Sequence, residues 1–177
     1  MDRINLGRLL LRALRHEPGV LGITLNEDGW ADFLDVAHCV QQRVGETYHE
    51  DLKAVITSLV ELERINISDQ GIRASYGGSI GRNTLKAEVP TCRLFHGTRV
   101  SFFAKIARQG LRSKNRDYVH LTSLCEYAQG IASKWQDGLV LEVEVENAIA
   151  SGTKFFKATS HVWLAGHIKP DHLTACV

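Results

Sequence analysis

The sequence predicts an α+β chain in two lobes, and three observations carry that prediction. Apolar residues recur at helical spacing as far as Val60, then switch to alternation at Ile65. A glycine-rich stretch, Gly77-Gly78-Ser79-Ile80-Gly81, and then Val89-Pro90 interrupt the chain near its middle. Beyond them lie short apolar runs with few helical stretches, as expected of a small split sheet of mixed or antiparallel strands. The expected lobes are residues 1–88 and 89–177.

In the first lobe, Ile4, Leu6, Leu9, Leu10, Ala13 and Leu14 mark one face of a helix. It should end at Arg15-His16-Glu17-Pro18-Gly19, because proline disfavours helix at the residue before it. Arg15 and His16 then complement the carbonyl end of the dipole. Leu21 to Leu25 reads as extended, and Asn26-Glu27-Asp28-Gly29 as a turn. Asp32 is placed to cap a helix through Phe33, Val36, Ala37 and Val40. Thr47 and Glu50 form a capping-box pattern before a helix with Leu52, Val55, Ile56, Leu59 and Val60 on its apolar stripe. Ile65 to Ser75 reads as a hairpin turning at Asp69-Gln70-Gly71. Three helices and a hairpin are the order of a winged helix, a frequent nucleic-acid-binding module.

In the second lobe, Arg93 to His96 reads as a strand. Phe102, Phe103, Ile106 and Ala107 give a helix stopped at Gly110. Tyr118 to Leu121 is the next strand, and Ser123 with Glu126 suggests a capping box for a helix to about Trp135. Leu139 to Val145 alternates strongly, with Leu141, Val143 and Val145 on one face. Glu142 and Glu144, on the other, read as solvated strand residues. Phe155-Phe156, His161 to Leu164 and Leu173 to Val177 supply further strands.

Composition excludes several classes. No run is apolar enough to span a bilayer, and Arg3, Arg8, Arg12 and Arg15 break any signal-peptide core. Cys39, Cys92, Cys125 and Cys176 are scattered, without a C-x-x-C pair, and are expected to be free thiols in a reducing cytoplasm. His161, His167 and His172 lack metal-site spacing, so no metal is expected. Residues 1–90 hold 10 Lys and Arg against 13 Asp and Glu, a net of −3; residues 91–177 hold 11 against 7, a net of +4. A local basic site is therefore expected rather than a general polycation.

That site is centred on two histidines. His96 ends one apolar run and is followed by Gly97-Thr98; His120 lies in another and is followed by Leu121-Thr122-Ser123. Between them stand Arg99, Lys105, Arg108, Arg112, Lys114 and Arg116, with no acid before Asp117. Strand ends beside small hydroxyl residues suit a polar ligand, and the charge favours an anionic one.

The ordered set His96-Gly97-Thr98, Gln109-Gly110-Leu111 and Tyr118-Val119-His120-Leu121-Thr122 resembles the nicotinamide-dinucleotide site of ADP-ribosyltransferase folds. More narrowly, it resembles the RNA 2′-phosphotransferase family. The likeness continues in the first lobe through Leu14-Arg15-His16-x-Pro18, Gly22-Ile23-x-Leu25, Gly29-Trp30-Ala31, Arg64 and Ile72-Arg73-Ala74. The chain departs at Tyr76-Gly77-Gly78-Ser79, where Gln-Gly-His-Ser is usual, and at Ile65, where an aromatic is usual. Val162 stands where protein-modifying members of the wider superfamily carry a glutamate. A phosphate acceptor, already anionic, has no need of that base.

The resemblance implies a winged-helix-like lobe followed by an ADP-ribosyltransferase-like lobe. It implies NAD as co-substrate and an RNA 2′-phosphate as acceptor, in a cytoplasmic monomer. The phosphate would attack the nicotinamide ribose to give RNA-2′-phospho-ADP-ribose. The ribose 2″-hydroxyl would then attack phosphorus, leaving 2′-hydroxyl RNA and ADP-ribose 1″,2″-cyclic phosphate. The same resemblance assigns Arg15 and Arg64 to clamp the phosphate and His16 to bind it and assist proton transfer. Arg116 would stabilise the second transition state. His96, Gly97, Thr98 and His120 would hold the nicotinamide ribose, and Gly110, Leu111 and Ser123 would line the dinucleotide pocket.

Two alternatives stand beside this. One is ADP-ribosylation of nucleic-acid terminal phosphates, stopping after the first step. The other is a non-catalytic winged-helix binder. The helix from Thr47 to Glu61 sets Glu50, Asp51 and Glu61 against Lys53 alone, a poor surface for a phosphate backbone.

Overall fold

A computed structural model describes residues 2–45, 48–78, 85–114 and 116–176, with only the backbone described for Tyr48 and His49. The chain divides into two compact units, Met1–Thr84 and Leu85–Val177. Ala87 pairs with Phe156, and the Glu88 N–H donates to the Phe155 carbonyl, so residues 85–88 go with the second unit rather than the first.

The first unit consists of α1 (Arg3–Arg15), α2 (Phe33–Val44), α3 (Tyr48–Glu61), β1 (Ile65–Ser68) and β2 (Gly71–Ala74). Asp2 caps α1 by accepting the Asn5 N–H at 2.8 Å. Asp32 caps α2, accepting from Leu34 at 2.8 Å and Asp35 at 3.0 Å. These caps satisfy donors that the first helical turn leaves unpaired. The expected Thr47 cap of α3 and the linker residues Ser79 to Gly81 lie outside the described residues. Leu6, Leu10, Leu14, Val36, Val40, Leu52, Leu59, Ile65 and Ile72 share one core. Ile4 is corrected: it is 68% exposed, and Leu11 is buried in the α1 stripe instead. The Leu21–Leu25 run is also corrected, because it forms no ladder. Its Ile23 N–H turns back to the Pro18 carbonyl. The hairpin register runs from Ile65↔Ala74 to Ser68↔Gly71, and Ala31 pairs beside it with Ile72.

The second unit runs β3 (Leu94–Arg99), α4 (Val100–Gln109), β4 (Val119–Thr122), α5 (Cys125–Ala132), β5 (Gly138–Val143), α6 (Val145–Ala150), β6 (Phe155–Lys157), β7 (Val162–Ala165) and β8 (Leu173–Cys176). Its sheet has the order β6-β7-β4-β3-β5-β8. Every neighbouring pair is antiparallel, so the mixed sheet allowed by the sequence is corrected. The short link from β6 to β7 illustrates why: a parallel pair needs a crossover of a dozen or more residues. The sheet is split. β3 and β5 pair over six positions, from Leu94↔Val143 to Arg99↔Gly138, whereas β3 and β4 meet in register only at Phe95↔Thr122.

One face buries Leu94, Leu121, Leu141, Val143, Trp163 and Ile168 in a core; the other packs Phe95 and Val140 against Ala128 and Ala132 of α5. Three expectations fail locally. The Leu139–Val145 strand stops at Val143, and Val145 opens α6 after Glu144 donates its N–H to the His172 carbonyl. Ser123 does not cap α5; Thr122 Oγ1 accepts the Leu124 N–H at 3.1 Å. Finally, α5 ends at Ala132, short of Trp135. Glu142 is ion-paired with Arg93, whose guanidinium holds its carboxyl below the usual range.

Candidate functional site

A cavity of about 720 Å³ opens in the second unit. Strand β3 brings His96, Gly97, Thr98 and Arg99 to its wall, and β4 brings Val119 and His120. Helix α4 and the segment after it contribute Phe102, Lys105, Gly110, Leu111, Arg112, Lys114 and Arg116. Both histidines line this one space, and the strands that carry them share the single register pair Phe95↔Thr122.

Local geometry fixes each group. The His96 Nδ1–H donates to the His120 carbonyl at 2.9 Å. A carbonyl only accepts, so Nδ1 carries the proton and the neutral ring keeps Nε2 as an acceptor. Burial pushes the His96 pKa below the ordinary imidazole value, and the bond to the His120 carbonyl opposes that shift. His120 Nδ1 lies 3.3 Å from the Tyr118 carbonyl, which selects the same tautomer. Thr98 is buried. Gly97 is required on the side facing α5, because a Cβ there would lie 2.4 Å from the Ala128 carbonyl oxygen. Gly110 ends α4 at φ +72°, and a Cβ would lie 2.0 Å from the Ile168 carbonyl oxygen. That close approach lets Leu111 and Ile168 exchange two backbone hydrogen bonds of 2.9 and 3.0 Å.

Among the described residues, the lining carries five Lys and Arg side chains and no carboxylate. Arg99 and Lys114 both approach Phe102, at 4.2 and 3.8 Å from its ring centroid. Such a wall favours an anion bearing more than one charge. Seven of the eight second-lobe residues that the resemblance assigns to the site thus share this cavity: His96, Gly97, Thr98, Gly110, Leu111, Arg116 and His120. Ser123 is not among its lining residues. It lies beyond β4, with its N–H bonded to the His161 carbonyl at 2.9 Å. Trp135, read in the sequence only as the end of a helix, also lines the cavity, as does Tyr118 of the second histidine motif. Arg108 of the basic run is directed back along α4, donating to the Ala104 carbonyl at 3.3 Å.

The remaining residues belong to the first unit. Arg15 is the last residue of α1, with its guanidinium carbon 5.0 Å from the centroid of Tyr76. His16 is the exposed C-cap and donates its N–H to the Arg12 carbonyl. The Arg64 carbonyl accepts the Ser75 N–H at 3.0 Å, which sets Arg64 beside the residue preceding Tyr76. Arg15, His16 and Arg64 thus come to one end of that unit.

Residues 1–167 match the RNA 2′-phosphotransferase, Tpt1/KptA family. A probable RNA 2′-phosphotransferase of Pseudomonas savastanoi pv. phaseolicola is 31% identical over 183 residues, covering 98% of this chain and 94% of the relative. That of Pectobacterium atrosepticum is 32% identical, covering 93% of each chain. That of Pyrobaculum aerophilum is 34% identical, covering 99% of this chain and 82% of its own. With a family match over nearly its whole length, on a sheet that gathers the two histidine motifs at one basic cavity, the chain belongs to the RNA 2′-phosphotransferase family.

Proposed function

We propose that the protein is an NAD-dependent RNA 2′-phosphotransferase, acting through a winged-helix-like first unit and an ADP-ribosyltransferase-like second unit. The observation that carries this reading is the gathering of His96, Thr98, Gly110, Arg116 and His120 around one cavity lined by cations and no carboxylate. A dinucleotide brings a diphosphate and two riboses, and the wall offers partners for both kinds of group. The Nε2 atoms of His96 and His120 accept hydrogen bonds from ribose hydroxyls. Arg99, Arg112 and Lys114 meet the diphosphate, which relieves the repulsion between the two cations at Phe102.

The transfer itself needs positioned charge more than acid–base chemistry. The RNA 2′-phosphate oxygen attacks C1″ of the nicotinamide ribose, and neutral nicotinamide leaves with the electron pair of the broken bond. The 2″-hydroxyl then attacks phosphorus, its proton is lost, and the RNA 2′-oxygen leaves and is protonated. Arg15 and Arg64 hold the phosphate through paired N–H donors. His16 binds it and assists proton transfer. Arg116 stabilises charge that develops on phosphorus only in the second step. The test is incubation with an RNA carrying one internal 2′-phosphate, with and without NAD. Conversion to 2′-hydroxyl RNA only with NAD supports the reading; a stable ADP-ribose adduct on terminal phosphates instead would replace it with a capping activity.

A further inference from the structure

We propose that Tyr76 is a positioning residue for the phosphate clamp, its ring fixing the guanidinium of Arg15 at the end of α1. This rests on the reading of Arg15 as a phosphate ligand given above. The Arg15 guanidinium carbon stands 5.0 Å over the ring centroid, within the range of a cation–π contact. Arg15 is half-buried at a helix end, where a long side chain has many rotamers to choose from. A ring held in place selects among them. A cation–π contact engages the face of a guanidinium, whereas a phosphate engages its N–H edge.

The backbone shows how Tyr76 is itself held. Ser75 bonds the Arg64 carbonyl, so Tyr76 follows directly from the hairpin ladder. Gly77 comes next at φ +75°, a left-handed conformation that turns the chain just past the ring. Tyr76 therefore joins the end of α1 to the start of β1, tying the two arginines assigned to one phosphate.

The test is a double-mutant cycle on RNA bearing a 2′-phosphate. Tyr76→Ala should lower kcat/KM about tenfold, mainly through a higher KM for RNA, and Tyr76→Phe should restore it to within about threefold. In an Arg15→Ala background, Tyr76→Ala should add almost nothing. Tyr76→Ala should also shift the Arg15 Nε–Hε resonance in the free protein while leaving the thermal midpoint nearly unchanged. Equal losses from Tyr76→Ala in both backgrounds, or an unmoved Arg15 resonance, would overturn the inference while leaving the activity intact. A wild-type protein inactive on 2′-phosphorylated RNA would overturn the functional reading and this inference with it.

Discussion

His96 Nδ1 lies 2.9 Å from the carbonyl oxygen of His120, and this bond spans the strand pair that has only one residue in register. One side chain thereby closes a seam in the sheet and sets its own tautomer. His96→Ala should cost about 1–3 kcal/mol of stability, because it removes the bond that the His120 carbonyl accepts in a partly buried place. It should also weaken NAD binding. Denaturant unfolding and calorimetric titration of NAD measure the two losses.

The lowered pKa of His96 gives a pH dependence of known sign. In the unfolded chain this imidazole takes up a proton near its ordinary pKa, while in the folded protein burial keeps it neutral to lower pH. The unfolded state then binds more protons, so its contribution to stability is whole above the unfolded pKa and is lost as pH falls toward the folded value. The thermal midpoint of the wild type should decline from pH 8 to pH 5. His96→Gln should flatten part of that decline, read as the difference between two melting curves across pH.

Two glycines contrast a constrained position with an open one. Gly110→Ala combines φ +72° with a 2.0 Å clash on the Ile168 carbonyl, so it should destabilise by at least about 1–3 kcal/mol. It should also disturb the cavity wall. Gly166→Ala meets nothing within 4 Å and has no positive φ, so its cost should be small. Chemical denaturation of both variants checks the contrast.

Much of this architecture was legible because local signals were strong. The change of period at Ile65 gave the hairpin, and Asp32 gave the start of α2. What escaped depended on distant partners. Val145 continues the alternation of β5 by composition, yet Glu144 meets the carbonyl of His172, far along the chain, and the strand ends there. Ser123 looked like a cap, but Thr122 takes the Leu124 N–H while Ser123 bonds His161. The antiparallel order of β4 between β3 and β7 is likewise a long-range fact. In the candidate site, the His-Gly-Thr and Tyr-Val-His-Leu-Thr stretches were legible as motifs. Trp135 was not, because it reaches the cavity from the turn after α5 and belongs to no periodic pattern.

The basic wall of the cavity predicts salt-sensitive binding. Arg112, Lys114 and Arg116 are exposed, so added salt should screen their attraction for a dinucleotide. Affinity for NAD should fall as sodium chloride is raised from 50 to about 500 mM. A charge-removing Lys114→Gln variant should show both weaker binding and a shallower salt dependence.

The two steps should separate by residue. Arg116→Ala should still release nicotinamide but accumulate RNA-2′-phospho-ADP-ribose, with the second step slowed about a hundredfold to a thousandfold. Arg64→Ala should slow both steps, since a clamp on the phosphate serves attack and release alike. A gel resolving the labelled RNA species reads both outcomes.

The fate of the phosphorus atom distinguishes transfer to NAD from simple hydrolysis. An RNA labelled with radioactive phosphorus only at an internal 2′-phosphate is incubated with the protein and NAD, and the small products are separated. The label should leave the RNA as ADP-ribose 1″,2″-cyclic phosphate, and only when NAD is present. Label released as inorganic phosphate, or released equally without NAD, would contradict that transfer.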